Sequence, residues 1–368
     1  MEVRARKRDF LEALYWTQSI VERRHTMPIL ANVLIESENR QIRVTATDLE
    51  VGVRTSVEGE VSKKGQVTLN AKKLYEIVRE APEESLQLKR LDNDWVEIKS
   101  GRSIFKMVGL DPREFPQFPD VGAESLVALG GKVLREMIER TLFSVSTDET
   151  RHNLNGVFVE ESGKDKLRMV ATDGHRLALV ERAVGSVGLK KGVILPRKGL
   201  AELKKLLEQS EEGTVSIGFK ENMGLVARDN VELFMRLIDA DFPDYSKVIP
   251  SENPLEVKIA AESFLQALRR VSILSNDRYK GVKLELKEGK MAVSANNPDL
   301  GEAVEEIEVD YQGRDLALGF NARYLMDVLG VIGDAKEIEL TVKDELSPGL
   351  LRQEGDQDYL YVVMPMRL

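Results

Sequence analysis

Apolar positions in this chain switch between two periods, and the switching itself repeats. Met1 to Arg6 alternates as a strand does, and Arg8 to Val21 then carries Leu11, Leu14, Tyr15 and Gln18 at helical spacing. Ile29–Glu36, Gln41–Thr47 and Glu50–Val57 return to period two. The pattern restarts with a strand at Gly65–Leu69 and a helix at Ala71–Glu80, with Leu74, Ile77 and Val78 on one face. Strands at Leu86–Arg90, Trp95–Ser100 and Ser103–Val108 follow. The first third is a strand-helix-three-strand unit written twice. Asp111-Pro112 and Phe115-Pro116 close it, because proline donates nothing to a ladder.

The same plan follows twice more. Helices are expected at Lys132–Val145 and Arg197–Gln209, then at Glu262–Leu274 and Ala322–Ile332. A marker stretch repeats with them: Thr45-Ala46-Thr47-Asp48-Leu49, Val170-Ala171-Thr172-Asp173-Gly174 and Ser294-Ala295-Asn296-Asn297-Pro298-Asp299. It reads as strand, tight turn, strand. Asp48, Asp173 and Asp299 are spaced by 125 and 126 residues, an ordinary domain size. Phe115-Pro116, Phe242-Pro243 and Met364-Pro365 recur near the copy ends. The expected fold class is α+β, with three repeated domains at 1–120, 121–246 and 247–368.

Composition narrows the function. Apolar residues make 42% and charged residues 31% of the chain, as in a soluble globular protein. No apolar run reaches the ~18 residues of a membrane span, and the charged N-terminus, MEVRARKRDFLEAL, does not read as a signal peptide. With no cysteine, disulfides and thiolate metal sites are excluded, and a cytoplasmic location is expected. The net charge of −9 is uneven: the first third is near neutral and the last is the most acidic. A local basic face is therefore compatible with an acidic chain.

The second helix of each copy supplies such a face. Lys72, Lys198 and Arg323 fall opposite its apolar residues at equivalent repeat positions, and Arg79 and Lys205 form a second pair. A solvated helix face is the plain reading; a set of helices presenting charge to a phosphate backbone is the functional one. Catalysis finds little support. The three aspartates occupy the same turn of separate repeats, which suits turn capping better than a shared metal. Asp173-Gly174-His175 lacks a placed nucleophile, and no phosphate-cradling glycine loop is present. The acidic run Glu302–Glu308 is expected as an exposed strand and loop.

Taken in order, several motifs carry a family resemblance along the whole chain. They are Thr26-Met27-Pro28-Ile29-Leu30-Ala31-Asn32, Thr47-Asp48-Leu49-Glu50, Leu154-Asn155-Gly156, Ala171-Thr172-Asp173-Gly174-His175-Arg176-Leu177 and Phe242-Pro243-Asp244-Tyr245. Gly319-Phe320-Asn321 with Tyr324, and Tyr361-Val362-Val363-Met364-Pro365-Met366-Arg367-Leu368, complete the set. The chain resembles the bacterial DNA polymerase III beta subunit, the replication sliding clamp. That resemblance implies a head-to-tail homodimeric ring of six domains, helices lining the hole and sheets outside. It implies a non-catalytic processivity factor, without cofactor, that encircles duplex DNA. Its partners would be the polymerase alpha subunit, the clamp loader, other polymerases and repair proteins, bound through a short linear motif.

By position, the resemblance assigns a partner-peptide cleft to Leu154, Thr172, Gly174, His175, Arg176, Leu177, Pro243, Lys247, Val248, Asn321, Tyr324, Val362, Val363, Met364, Pro365 and Met366. It adds Arg24 to the DNA-facing cations Lys72, Arg79, Lys198, Lys205 and Arg323. It sets Lys73, Phe105, Met107, Ile273 and Leu274 at the subunit interface, where the bland alternative is internal core. The chain departs from the family at Arg151-His152, where an aromatic pair is expected near single-stranded DNA. Two rival readings are a metal-dependent nucleic-acid hydrolase and a repeat scaffold that never encircles DNA.

Overall fold

The computed structural model describes residues 1–21, 27–117, 126–209, 212–332 and 335–367. The doubled plan is present in each third. The first third holds β1 (Glu2–Arg6), α1 (Lys7–Thr17), β2 (Asn32–Glu38), β3 (Gln41–Thr47) and β4 (Val51–Lys63). It continues with β5 (Gly65–Asn70), α2 (Ala71–Glu80), β6 (Ser85–Arg90), β7 (Trp95–Ser100) and β8 (Ser103–Val108). The second holds β9 (Val127–Gly130), α3 (Gly131–Leu142), β10 (Gly156–Ser162), β11 (Lys166–Thr172) and β12 (Arg176–Ala183). After these come β13 (Val193–Pro196), α4 (Arg197–Glu208), β14 (Thr214–Lys220), β15 (Met223–Arg228) and β16 (Val231–Arg236). The third holds β17 (Leu255–Ala260), α5 (Ala261–Val271), β18 (Gly281–Lys287), β19 (Lys290–Asn297) and β20 (Gly301–Asp310). It ends with β21 (Leu316–Asn321), α6 (Ala322–Val331), β22 (Glu337–Val342), β23 (Gly349–Gln353) and β24 (Tyr359–Val363).

Local chemistry sets the boundaries. The side chain of Asn70 accepts from Lys73 N at 3.0 Å and caps α2, as Asn321 does for α6 through Arg323 N at 2.9 Å. Several expected boundaries shift: the helix read to Val21 ends at Thr17, the one read to Val145 ends at Leu142, and the strand read to Val57 runs on to Lys63. Ile29, read as the start of a strand, lies in a 3-10 turn at Pro28–Ala31, because proline's fixed φ suits a helical first position. The helix expected through Leu274 ends at Val271 and tightens into a 3-10 turn at Ser272–Leu274.

The chain gathers into two compact units, Met1–Gly131 with Lys198–Leu237, and Lys132–Arg197 with Ile238–Leu368. The central third contributes to both. In the first unit the strand order is β8-β7-β6-β1-β4-β16-β15-β14-β9, with β3, β2 and β5 branching from β4. Strand β4 changes partner along its length: Val51–Thr55 lies between β3 and β16, and Gly59–Lys63 pairs with β1. In the second unit the order is β13-β10-β11-β12-β24-β23-β22-β17-β20-β19-β18-β21. Each unit packs a helix pair, α1 with α2 and α5 with α6, over its sheet. Leu74, Val78, Phe264, Leu268 and Leu325 are wholly buried there, so amphipathic faces hold the layers together.

One pairing rule runs through both units. The last strand of a copy pairs with the fourth strand of the copy before it: β16 with β4, and β24 with β12. Among the described residues, β8 pairs only with β7, and the Gly301–Glu308 stretch of β20 pairs only with β19. These are two open edges.

Candidate functional site

The repeated turn is built by the same bonds in the first two copies. In the second unit Thr172 Oγ1 donates to Arg176 O at 2.6 Å and accepts from Gly174 N at 3.1 Å. Asp173 Oδ1 accepts from the N–H groups of His175 and Arg176 at 2.9 and 3.0 Å. In the first unit Thr47 bonds Val51 O and Leu49 N, and Asp48 Oδ1 takes Glu50 N and Val51 N. The aspartates are therefore turn acceptors, as their type predicts. In the third copy the acceptor is Asn297, whose Oδ1 receives Asp299 N at 3.1 Å, so the role expected of Asp299 belongs to Asn297. Among the described residues no cluster of three or more His, Asp or Glu has a metal-binding arrangement. The Asp173 carboxylate is engaged by the backbone amides of His175 and Arg176 and by the Arg176 side chain.

Around the second turn the cleft residues converge. Gly174 has φ 87°, and a Cβ there would lie 2.8 Å from Arg151 Nη1, which itself donates to Asp173 O at 2.9 Å. Strand β24 runs alongside, with Leu177 opposite Val362 and Arg176 opposite Val363, and Met364 N donates to His175 O at 2.9 Å. Leu177 and Val362 are buried in a cluster with Val170, Leu179 and Leu350, against Phe242 and Tyr245. They form a floor. The rings of Phe158 and Phe242 stack at 5.0 Å beneath the Pro243 turn, while Tyr245 accepts from Arg168 at 2.6 Å. Gly174, His175, Pro243, Lys247 and Val248 are exposed; Asn321, Tyr324, Met364, Pro365 and Met366 are half-buried. Leu154, in a 3-10 turn at His152–Leu154, is buried, as are Thr172 and Val363. Lys247 pairs with Asp244 at 3.1 Å.

A cavity of 490 Å³ adjoins this wall, lined by Phe143, Asp148, Arg151, Asp173, His175, Arg176, Arg197, Arg323, Tyr324 and Asp327. A second, of 910 Å³, is lined by Asn276, Tyr279, Gly281, Met366 and Arg367 among others. Pro243, Lys247 and Val248 line neither. Phe143, Tyr279 and Asp327 were not anticipated from sequence, because nothing in their local pattern separates them from ordinary helix and loop residues.

The cations divide. Lys72, Arg79, Lys205 and Arg323 are exposed, with Arg79 beside Glu80 at 3.0 Å and Lys205 beside Glu202 at 2.7 Å. Lys198 differs from these four: it is half-buried, bridged to Asp48 and within 3.4 Å of Ile20 O. The turn consumes one oxygen of Asp48, and Lys198 answers the other. Arg24 lies outside the described residues. Of the interface candidates, Ile273 is 73% exposed, Leu274 is half-buried, and Phe105 and Met107 are half-buried on the edge strand β8. Lys73 is exposed and pairs with Glu76 at 2.7 Å. None of these five is internal core.

Comparison with known proteins decides the family. Three family models match in order: the N-terminal domain of the DNA polymerase III beta subunit at residues 1–119, its central domain at 128–244 and its C-terminal domain at 246–367. The chain belongs to the DNA polymerase III beta-subunit family. It is 38% identical over 376 residues to the beta sliding clamp of Caulobacter vibrioides, with 100% of each chain covered. It is also 38% identical over 361 residues to that of Pseudomonas putida, with 97% of each covered. Its fold matches a Bartonella birtlesii sliding clamp bound to griselimycin with TM-score 0.95 at 36% identity, and a Caulobacter crescentus clamp with 0.94 at 38%. All of each chain is covered in both. Another Caulobacter crescentus clamp carries polyethylene glycol at its beta-motif tethering region. The three-domain α+β clamp fold follows, and with it the function of a sliding clamp, a non-catalytic subunit that works with DNA and polymerase. These matches give no support to the hydrolase reading.

Proposed function

We propose that two copies of the chain join head to tail in a ring closed around duplex DNA, helices inward, with β8 of each pairing with β20 of the other. The supporting observation is the pairing rule: within each unit a copy's last strand completes the fourth strand of its neighbour, and β8 and β20 alone lack that partner among the described residues. Extending the same register sets Met107 opposite Gly301 of the partner subunit, Ile104 opposite Val304 of the partner subunit and Lys106 opposite Glu302 of the partner subunit. Ile104 and Val304 are 56% and 67% exposed in the single chain. Such open edges are usually covered, and burying each apolar side chain is worth about 1.5–3 kcal/mol.

In this reading the domains are the repeats 1–120, 121–246 and 247–368. Lys72, Arg79, Lys205 and Arg323 face the duplex, and the wall from His175 to Met366 takes a short linear motif from the polymerase alpha subunit, the clamp loader and repair proteins. No cofactor is needed. Among the described residues no helix is long and apolar enough to cross a membrane. From a role on the chromosome we infer a cytoplasmic location. Light scattering of the purified chain tests closure: twice the chain mass is expected, and a stable monomer at micromolar concentration overturns the ring.

A further inference from the structure

In the first two copies the aspartate of the hairpin turn keeps one oxygen for a cation, and the two units supply that cation differently. In the first unit Lys198 reaches Asp48 from α4. In the second the cation is Arg176, whose Nε lies 3.0 Å from Asp173 Oδ2 within the same turn. An arginine has donors to spare after one carboxylate. Its Nη1 donates to Asp327 Oδ2 at 2.6 Å and its Nη2 to Phe143 O at 2.6 Å, while its plane lies over the Tyr324 ring at 4.4 Å. The side chain is only 8% exposed. One guanidinium thus ties the turn to the end of α3 and to α6, where Tyr324 and Asp327 sit three residues apart on one face.

Among the described residues the first unit shows no such device. Val51 stands where Arg176 stands, as the first residue of the strand that follows the turn. Glu202, 125 residues before Asp327, accepts instead from Ser19 and Lys205.

We propose that Asp327 is a positioning residue for partner-peptide binding, fixing the Arg176 guanidinium and through it the His175 turn and the Tyr324 ring. The inference rests on reading this wall as the peptide cleft. Asp327 lines the adjoining cavity together with Arg176, its side chain 29% exposed, so the Arg176 background is needed to separate positioning from direct contact. Without it a buried guanidinium keeps one carboxylate and one carbonyl, and its stacking over Tyr324 is no longer fixed from the α6 side.

The test uses the full chain and a fluorescent peptide bearing leucine and phenylalanine. Asp327→Asn should weaken binding about tenfold, with the dimer intact. In an Arg176→Met background the same change should alter affinity less than twofold, because the group it positions is gone. Arg176→Lys, which keeps the charge but loses the fork, should also bind about tenfold more weakly. It serves if Asp327→Asn does not fold. Binding within twofold of the parent for Asp327→Asn, an equal loss in both backgrounds, or a fully active Arg176→Lys each overturns the proposal. A lowered melting temperature with unchanged affinity marks a purely structural role and overturns it too. If a chain cut after Val363 binds the peptide unchanged, the cleft reading fails, whatever Asp327 does.

Discussion

Arg140 Nη1 lies 2.6 Å from the Asp356 carboxylate, joining residues 216 apart in the chain. Arg182 reaches the same carboxylate at 2.6 Å and Glu136 at 2.6 Å, and the Arg140 guanidinium lies 4.8 Å from the Tyr359 ring centre. Burial alone would raise the Asp356 carboxyl. The Arg182 hydrogen bond and the charges of both arginines outweigh burial and hold it below the usual carboxylate range. A depressed carboxylate stabilises the fold fully above its unfolded value, about 3.9. That contribution is lost as pH falls through the lower folded value. Asp356→Asn should therefore melt lower at pH 7, by about 1–3 kcal/mol, and lose less further stability below pH ~4. Calorimetry from pH 7 to 3 checks this; parallel curves for the two proteins would remove Asp356 from the acid response.

Subunit closure should depend on Ile273 and Leu274. Both lie in the 3-10 turn after α5, and Ile273 is among the most exposed large apolar side chains. Changing both to alanine should leave a folded chain that sediments as a monomer at low concentration. Lys106→Glu, which sets like charges against Glu302 of the partner subunit, should weaken the dimer in a salt-dependent way. A dimer that survives all three changes undiminished would move the interface elsewhere.

Removing Met364 to Leu368 should abolish binding of a leucine- and phenylalanine-bearing peptide while the ring still assembles. The two methionines offer an adaptable surface, and affinity should be modest, on the order of micromolar, because few anchors are engaged. Fluorescence anisotropy of the truncated dimer reads the outcome, and unchanged affinity would place the peptide elsewhere.

A groove binder loses about 10³–10⁵ in DNA affinity between 50 and 200 mM salt. With so few exposed repeated cations the ring should grip weakly, yet survive a salt wash on a nicked circle and leave when the circle is cut. Lys205→Ala should weaken direct DNA contact without changing retention. Lys198→Met should behave differently, lowering stability by about 1–3 kcal/mol because it strands the nearly buried Asp48. Equal, salt-sensitive retention on circular and linear DNA would exclude encirclement.

Much of the architecture was legible because period-two and period-3.6 runs alternate cleanly and repeat, so α2 and strands such as β3, β7 and β8 fall at their expected bounds. What escaped were the long-range bonds. Helical spacing put Lys198 opposite the apolar face, but no local pattern announces that Asp48, 150 residues away, draws it in. Likewise Asn297 replaced Asp299 as turn acceptor because the register of β19 against β20, which pairs Asn297 with Gly301, fixes where the turn begins. Asp327 was hidden for the same reason: its meaning lies in Arg176, 151 residues earlier.

The exchange of strands between copies also has a price in time. Arg54 on β4 and Glu232 on β16 end up 3.4 Å apart, yet 178 residues separate them. At ~5–20 residues per second on the ribosome, β4 waits about ten to thirty-five seconds for the strand that covers its edge. During that interval the nascent chain carries an unfinished template that another nascent chain can occupy. Slow translation between the first and second copies, or a shortage of chaperones, should therefore appear as loss of soluble protein before any loss of stability in the finished molecule.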